Sequence, residues 1–260
     1  PEQPMDVESS LYFKWTDNKT PKGEFKITKG EKVLLHTVIT GQKTKPTVTD
    51  QEFDKFKSLI PGANGGYVRI YRNIDDTWVQ IGQNIEGEAD EDDPRTAVAL
   101  SSDGSVVAIG ARFNDGNGED SGHVRLFRNV DDTWTQIGQD IDGEATFDYS
   151  GESVALSFDG SVVAIGAKKN DDNGRISGHV RLYRNVDDTW TKVGQDIDGE
   201  APNDRSGTSI ALSADGSVVA IGATSNDNNA IDAGQVRVYR RENDTWTQIG
   251  QDIDGEFNND

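Results

Sequence analysis

The sequence contains no cysteine, one methionine and three histidines among its 260 residues. Without cysteine, disulfide bonds and cysteine-ligated zinc sites are excluded. Positive charge is also scarce, because 26 lysines and arginines stand against 46 aspartates and glutamates, a formal net charge of −20. An acidic chain repels phosphate backbones, so we expect no nucleic-acid partner. No apolar run is long enough to span a bilayer, so we expect no membrane insertion.

What the sequence does contain is one block that recurs every 56 residues, marked by Trp78, Trp134, Trp190 and Trp246. Such a repeat is one supersecondary unit that buries its apolar faces against its neighbours. Each unit holds four short runs rich in valine, isoleucine and alanine, bounded by glycine, aspartate and asparagine. In one unit the runs lie at 153–157, 162–167, 179–184 and 189–197. The pattern predicts an all-β fold, a β-propeller of four-stranded antiparallel blades.

The repeat also predicts how the chain is divided. We expect an N-terminal arm (1–22), a degenerate first blade (23–85), three full blades (86–141, 142–197 and 198–253) and a truncated linker (254–260). The first blade carries an insertion at about 41–66, in which a capping-box pattern at 49–52 precedes a short helix near 49–60. A strand is also expected at 11–15. The sequence leaves open whether four blades close a ring or belong to a longer one.

Two segments carry a resemblance to a known family: 148–171 (DYSGESVALSFDGSVVAIGAKKND) and 204–227 (DRSGTSIALSADGSVVAIGATSND). They resemble FG-GAP repeats of integrin-α-like β-propellers, in the variant of bacterial and algal surface proteins. The resemblance covers about 86–253 well and 67–85 in part, and it implies an extracellular or cell-surface protein that mediates adhesion or protein interaction. The family's calcium loop is reduced here to hairpins with one acid each, at Asp103, Asp159 and Asp215. Since calcium takes six to eight oxygen ligands, that site is not carried over.

No motif of catalysis is present, because the sequence lacks a phosphate-binding glycine loop, a nucleophile elbow and an H-E-x-x-H pair. We therefore expect no enzyme, no catalytic or cofactor-binding residue and no metal ligand. His123 and His179 are repeat equivalents, and Tyr67 and Gln235 replace them in the other units. A ring of blades holds equivalent positions apart, so both histidines are interpreted as strand-edge residues that do not meet as a metal pair.

The loops between the second and third runs, at 114–122, 170–178 and 226–234, are the remaining binding candidates. Their Asp–Asn pairs, such as Asp171 with Asn173, suit either a calcium ion or ordinary turn chemistry, and both interpretations stay open. Strand parity places these loops on the same face as the inter-blade linkers. On that face we predict interaction residues, with ordinary loop variation as the alternative: Asp115, Glu119, Phe147, Tyr149, Asp171, Arg175, Arg205 and Asp232.

These observations favour a non-catalytic extracellular or surface β-propeller that serves as a structural or adhesive interaction module. Its expected partners are other proteins or copies of itself, since near-identical blades suit repeated contacts. The alternative is a lectin-like or cation-dependent ligand-binding propeller, with carbohydrate as the ligand. Saturable sugar binding or a large calcium-induced rise in melting temperature discriminates the two.

Overall fold

The computed structural model describes the backbone of residues 22–29 and 32–40, and residues 66–88 and 97–258. The chain divides into two compact units, Pro1–Ala63 and Asn64–Asp260. The predicted arm with its strand at 11–15 and the predicted helix near 49–60 lie outside the described residues. Within the described ranges every regular element is a strand, so none of them is a helix suited to cross a membrane.

Within residues 22–29 and 32–40, the first unit contains one antiparallel hairpin. Strand β1 (Lys22–Lys29) pairs with β2 (Lys32–Thr40) from Lys22 opposite Thr40 to Lys29 opposite Lys32. The register shifts between Ile27 and Thr28. The hairpin forms a two-stranded sheet of its own.

The described residues of the second unit form four sheets, one for each tryptophan block. The first is a two-stranded antiparallel sheet of β3 (Tyr67–Ile74) and β4 (Thr77–Glu86). Each of the other three has five strands. Their bounds are β5 (Ala97–Leu100), β6 (Val106–Ala111), β7 (His123–Val130), β8 (Thr133–Gln136), β9 (Ile141–Asp142); β10 (Ser150–Leu156), β11 (Val162–Ala167), β12 (His179–Val186), β13 (Thr189–Lys192), β14 (Ile197–Asp198); and β15 (Ser206–Leu212), β16 (Val218–Ala223), β17 (Gln235–Glu242), β18 (Thr245–Gln248), β19 (Ile253–Asp254).

Each five-stranded sheet has the same antiparallel topology. Four strands follow one another in sequence order, as in β10-β11-β12-β13, and the short fifth strand pairs beside the third. The prediction of an all-β fold with four-stranded antiparallel sheets is confirmed for the described residues. The strand β11 coincides with the predicted run at 162–167, and all six of its residues are buried. A strand that is apolar throughout is expected where neighbouring layers cover both faces.

The fourth predicted run, at 189–197, is not one strand. Strand β13 ends at Lys192, and the chain turns before β14 begins at Ile197 and pairs with β12. The turn contains Gly194, whose φ of +75° lies in the left-handed region. A Cβ at this position would also lie 2.8 Å from Cδ1 of Trp246. Glycine is therefore needed here both for the backbone conformation and for the approach of the indole.

Adjacent sheets pack against each other through a mixed apolar core. One cluster joins Val124, Leu126 and Ile141 of one sheet to Val163 and Ile165 of the next. The tryptophans close these interfaces, and three of them are 3–4% exposed. Each buried indole donates a hydrogen bond of 2.9 Å to the carbonyl oxygen of the residue 53 positions earlier: Trp134 to Ile81, Trp190 to Ile137 and Trp246 to Val193. The tryptophan is thus an anchor between neighbouring sheets.

Candidate metal centre

The loops between the second and third strands of each sheet lie against the inter-sheet linkers. The backbone N–H of Phe147 donates to the carbonyl of Glu119 at 2.8 Å, and that of Tyr149 donates to Asp120 at 3.2 Å. In the next repeat the N–H of Arg205 donates to Ile176 at 3.1 Å. The structure therefore joins the predicted residues Glu119 and Phe147, whereas Tyr149 and Arg205 bond to loop residues that were not predicted. Seven of the eight are exposed and Tyr149 is half-buried; binding at this face stays a prediction.

The Asp–Asn pairs of these loops form hydrogen bonds within the protein. The Oδ1 atom of Asp171 accepts the backbone N–H of Ile176 at 2.5 Å, which closes the loop. The side-chain amide of Asn173 donates to the carbonyl of Gly199 in the linker at 2.6 Å. Equivalent bonds are formed by Asp115, Asp227, Asn117 and Asn229. These groups therefore serve turn chemistry in the structure.

The linker at 145–149 is held in an unusual backbone conformation. Phe147 has a φ of +67° and Tyr149 a φ of +59°, both in the left-handed region. Buried Asp148 holds the linker, because its Oδ2 accepts the N–H of Ala145 at 3.1 Å and the amide of Asn170 at 3.2 Å. Burial raises the pKa of the Asp148 carboxyl. Residues in such backbone conformations persist where the surrounding contacts hold them, and they are frequent at functional sites.

Beside this linker, three side chains converge that the sequence analysis did not combine. Glu144 lies in the linker, His179 begins β12, and Asp196 lies in the turn between β13 and β14. One ligand atom from each lies within 4.8 Å of the other two. The three residues come from separate segments, and the pairing of β12 with β14 brings them together. Imidazole and carboxylate are ligands that divalent transition metals accept.

His179 is the central residue of this cluster. Its side chain is fully buried at 0% exposure, and neither Nδ1 nor Nε2 has a hydrogen-bond partner within the described structure. Burial, assisted by the positive charge of Arg181, lowers the pKa of His179 to about 4. The imidazole is therefore neutral at pH 7 and offers a lone pair. A buried polar group without a partner costs about 1–3 kcal/mol, which a bound ligand would relieve.

The charges around His179 are predominantly negative. Burial and then repulsion by Asp196 and Asp172 raise the pKa of the Asp198 carboxyl. Two cations partly offset these acids: Lys192 Nζ lies 2.5 Å from Asp196 Oδ1, and Arg181 Nη1 lies 3.1 Å from an oxygen of Glu144. Four carboxylates (positions 144, 172, 196 and 198) against two cations leave a net local charge of −2 when all are ionised. A divalent cation would neutralise it.

The same arrangement occurs one repeat earlier, where Glu88, His123 and Asp140 form the equivalent cluster. There Nδ1 of His123 lies 3.9 Å from Oδ2 of Asp140. The third repeat differs, because Gln235 replaces the histidine and donates from Nε2 to Glu200 at 3.1 Å. A glutamine amide thus contacts the acid directly where the histidine of the second repeat does not. We define the first two clusters as centre 1 (Glu88, His123, Asp140) and centre 2 (Glu144, His179, Asp196).

From the sequence we expected His123 and His179 to be strand-edge residues that do not meet each other. Each begins a strand of a different sheet, and each also faces two acids of its own repeat and linker. The signal that would have found the centres is the joint periodicity of the three positions. Glutamate recurs at 88, 144 and 200, and aspartate at 140, 196 and 252, with histidine between them in two of three cases. Testing each motif by local spacing alone missed this pattern.

Comparisons with known proteins identify no family for the chain. No family model matches it, and no curated protein matches it either. It is similar in structure to a putative 6-phosphogluconolactonase from Bacteroides uniformis, at 18% identity and a TM-score of 0.47, covering 85% of this chain. It is also similar to KlAtg21 in complex with the coiled coil of AgAtg16 (10% identity, 93% of this chain and 79% of that one, TM-score 0.43). A third is the periplasmic gluconolactonase PpgL of Pseudomonas aeruginosa (16% identity, 72% and 63%, TM-score 0.36).

These similarities, all at TM-scores below 0.5, show no FG-GAP or integrin-like family for this chain. This chain spans 61% of the length of the Bacteroides uniformis protein. Two of the three neighbours bear the names of enzymes. The expectations of a non-catalytic adhesive module and of no enzyme are therefore contradicted. Their physical premise was wrong, because a repetitive β architecture without a local motif does not exclude catalysis.

Proposed function

We propose that this chain is a divalent-metal-binding protein whose two centres each keep a coordination position for water. The observation that carries the proposal is His179, a fully buried imidazole that faces Glu144 and Asp196 and has no hydrogen-bond partner in the described structure. A group of this kind is retained in a buried position when a ligand satisfies it. Centre 1 repeats the arrangement at the equivalent positions.

The ligand set favours a first-row transition metal such as Zn²⁺. One imidazole with two carboxylates provides mixed nitrogen and oxygen donors, whereas calcium and magnesium prefer oxygen alone. Ligand atoms on a tetrahedral zinc lie about 3.4 Å apart, given metal–ligand distances of about 2.1 Å. The separations of up to 4.8 Å in centre 2 therefore have to contract. Glu144 can supply that movement, since its side chain is 39% exposed.

Three protein ligands leave a fourth position on a tetrahedral metal, as in catalytic rather than structural zinc sites. The exposed side of centre 2, at Glu144, gives water access to that position. A zinc-bound water has a pKa near 7 and acts as a nucleophile at neutral pH. The chemistry that this geometry supports best is therefore hydrolysis by metal-bound water. The accompanying architecture that we infer is a radial, β-propeller arrangement of the sheets, of FG-GAP-like repeat type.

Metal binding is tested with the full chain after metal removal by EDTA and dialysis. Titration with Zn²⁺ in a calorimeter is expected to show two sites per chain, one of which is lost in His179→Gln and both in the variant that also carries His123→Gln. Glutamine is the natural residue at the equivalent position 235, so these replacements keep the fold. The reverse replacement, Gln235→His, is expected to add a third site with Glu200 and Asp252.

Unchanged zinc stoichiometry in the doubly substituted variant would refute the metal centres. Hydrolysis is tested separately by following release of p-nitrophenol from a small ester. Activity is expected with Zn²⁺, and not with the EDTA-treated chain or the doubly substituted variant. If the wild type binds two zinc ions but its ester hydrolysis equals that of the doubly substituted variant, the hydrolytic part of the proposal fails and metal binding stands.

A further inference from the structure

Three cationic side chains lie where the first two five-stranded sheets meet, in a chain whose formal net charge is −20. Arg112 directly follows β6, and Lys168 and Lys169 directly follow β11. Both strands are the second of their sheet, so the three residues begin equivalent loops. We define Arg112, Lys168 and Lys169 as the cationic cluster. Positive charge is scarce in this chain, so its concentration at one place calls for a physical explanation.

One carboxylate holds two members of the cluster. Glu152, in β10, accepts a hydrogen bond from Arg112 Nη1 on Oε2 and another from Lys168 Nζ on Oε1, each at 2.5 Å. Burial raises the pKa of Glu152, but these hydrogen bonds outweigh it and hold that pKa below its usual range, so the carboxyl is ionised at neutral pH. The side chain of Arg112 is 16% exposed and that of Lys168 is 22% exposed. Two largely buried cations therefore share one counter-charge, and burial of an unbalanced charge is costly.

The third member, Lys169, contacts an aromatic ring instead of a carboxylate within the described residues. Its Nζ lies 3.7 Å from the centroid of the Tyr149 ring. Cζ of Arg112 lies 5.9 Å from the same centroid and 4.5 Å from that of Phe113. The two rings meet edge to face, with centroids 5.1 Å apart. Contacts of this kind hold a cation in position, but they do not neutralise its charge.

Much of the hydrogen-bonding capacity of the cluster is unused within the described structure. A guanidinium group carries N–H donors on all of its nitrogens. In Arg112 only Nη1 forms a hydrogen bond to a described residue, which is Glu152, and the buried Nε has no partner. Lys168 Nζ likewise bonds only to Glu152 there. The cluster can therefore offer donors as well as positive charge to a further acceptor.

The cluster is not part of the framework that the repeats share. One repeat later, Thr208 and Thr224 occupy the positions of Glu152 and Lys168. The hydroxyl oxygens of these threonines lie 3.5 Å apart. Strands β15 and β16 nevertheless pair in the same register as β10 and β11. The fold of the repeat therefore does not require the charges, which favours a role for them in binding.

We propose that the cationic cluster binds an oxyanion, namely the phosphate or carboxylate group of a small soluble ligand. Arg112 would donate from the nitrogens that Glu152 does not use, because the guanidinium fork matches both kinds of oxyanion. Lys168 and Lys169 would add charge and further hydrogen bonds. The bound group supplies the negative charge that Glu152 alone does not provide.

The charge of the whole chain confines such binding to this cluster. A strongly acidic surface repels anions, so an anion is held only where positive groups outweigh the acids nearby. The site is separate from the metal centres and does not depend on them. Binding is also expected to weaken as salt is added, since ions screen the attraction between the partly exposed charges.

The test uses the full chain after EDTA treatment, so that no metal ion provides another place for an anion to bind. Inorganic phosphate and acetate are added separately to isotope-labelled protein at constant ionic strength. Saturable shifts in the NMR signals of the backbone amides at 112–113 and 168–169 are expected with at least one of them. The probe that binds more tightly shows whether the ligand carries a phosphate or a carboxylate.

Two variants remove parts of the cluster. The double variant Lys168→Thr with Lys169→Ser introduces the residues that stand naturally at positions 224 and 225, and it keeps the bond between Arg112 and Glu152. It is expected to bind the probe at least about tenfold more weakly, because charge-assisted hydrogen bonds are lost. Arg112→Gln is expected to weaken binding to a similar extent. Urea unfolding of the double variant is expected to match wild type, which separates lost binding from lost structure.

Arg128→Gln is the matched control, because it removes the same charge at the other end of the sheet. Arg128 lies opposite Val106, at the start of β6, whereas Arg112 follows the end of that strand. The control is expected to bind the probe as wild type does. Equal weakening by Arg112→Gln and Arg128→Gln would mean that overall charge attracts the anion, and it would overturn the site. The absence of saturable shifts with both probes, or a double variant that binds as tightly as wild type, would overturn it too.

Discussion

Comparing Trp190→Ala with Trp78→Ala measures how much a tryptophan anchor contributes to the stability of the fold. Trp190 is 4% exposed, packs in the core cluster between two sheets and donates to the carbonyl of Ile137 at 2.9 Å. Removing a buried tryptophan costs about 3–5 kcal/mol, of which about 1 kcal/mol belongs to the hydrogen bond. In a domain of this size, 1 kcal/mol changes the melting temperature by about 2–4 °C. Trp190→Ala is therefore expected to lower it by about 6–20 °C.

Trp78→Ala is expected to change the free energy of unfolding by less than about 0.5 kcal/mol, as is usual for an exposed side chain. Differential scanning calorimetry gives both values. Trp190→Ala should also broaden the unfolding transition, because the sheet that contains Trp190 is then less strongly coupled to the preceding sheet, against which the indole packs. Equal shifts for the two variants, or a shift at Trp78 larger than at Trp190, would show that the anchors do not hold the sheets together.

Two further predictions concern other contacts between neighbouring repeats. Burial raises the pKa of Glu152, but hydrogen bonds from Lys168 and Arg112 outweigh it and hold that pKa below its usual range. A lowered carboxyl pKa stabilises the fold above the unfolded-state value of about 4.3 and loses that effect as the pH falls through the folded-state value. Denaturant midpoints between pH 7 and 3 should therefore depend less on pH in Glu152→Gln than in wild type, and parallel curves would contradict this. Gly110→Ala should lower the free energy of unfolding by about 1–3 kcal/mol, because its Cβ would lie 2.2 Å from the backbone oxygen of Gly151. Gly222→Ala is the control, because the nearest atom there is the movable Ser209 hydroxyl; similar losses in urea unfolding would count against the backbone clash.

The strands were largely predictable because their signals are local. The run at 162–167 is apolar throughout and is bounded by polar turn residues, and the structure has β11 over the same six residues. The run at 189–197 looked equally continuous. Its lone glycine at 194 is compatible with either a strand or a turn, and the equivalent Gly82 lies inside the continuous strand β4. The indole of Trp246 that packs against Gly194 comes from 52 positions away and leaves no local signal.

The candidate site was not predictable from local spacing for the same reason. Glu144 and Asp196 lie 35 and 17 positions from His179, and they meet it only because β14 returns to pair with β12. Burial matters as much as proximity. The sequence indicates only a strand-edge residue at His179. At an exposure of 0%, however, its polar imidazole needs a hydrogen-bond partner.

The exchange of histidine for glutamine at position 235 shows how near-identical repeats can carry different chemistry. Gln235 donates to Glu200, so the third cluster contains its own hydrogen bond between side chains. In centre 2 the neutral imidazole of His179 forms no such bond to Glu144, although the surrounding strands and the acids at equivalent positions are kept. The repeat thus supplies carboxylates at constant positions. The side chain at the histidine position determines whether an amide hydrogen-bonds to these carboxylates or an imidazole is left to hold a cation with them. Chemistry should therefore be sought where the repeats disagree.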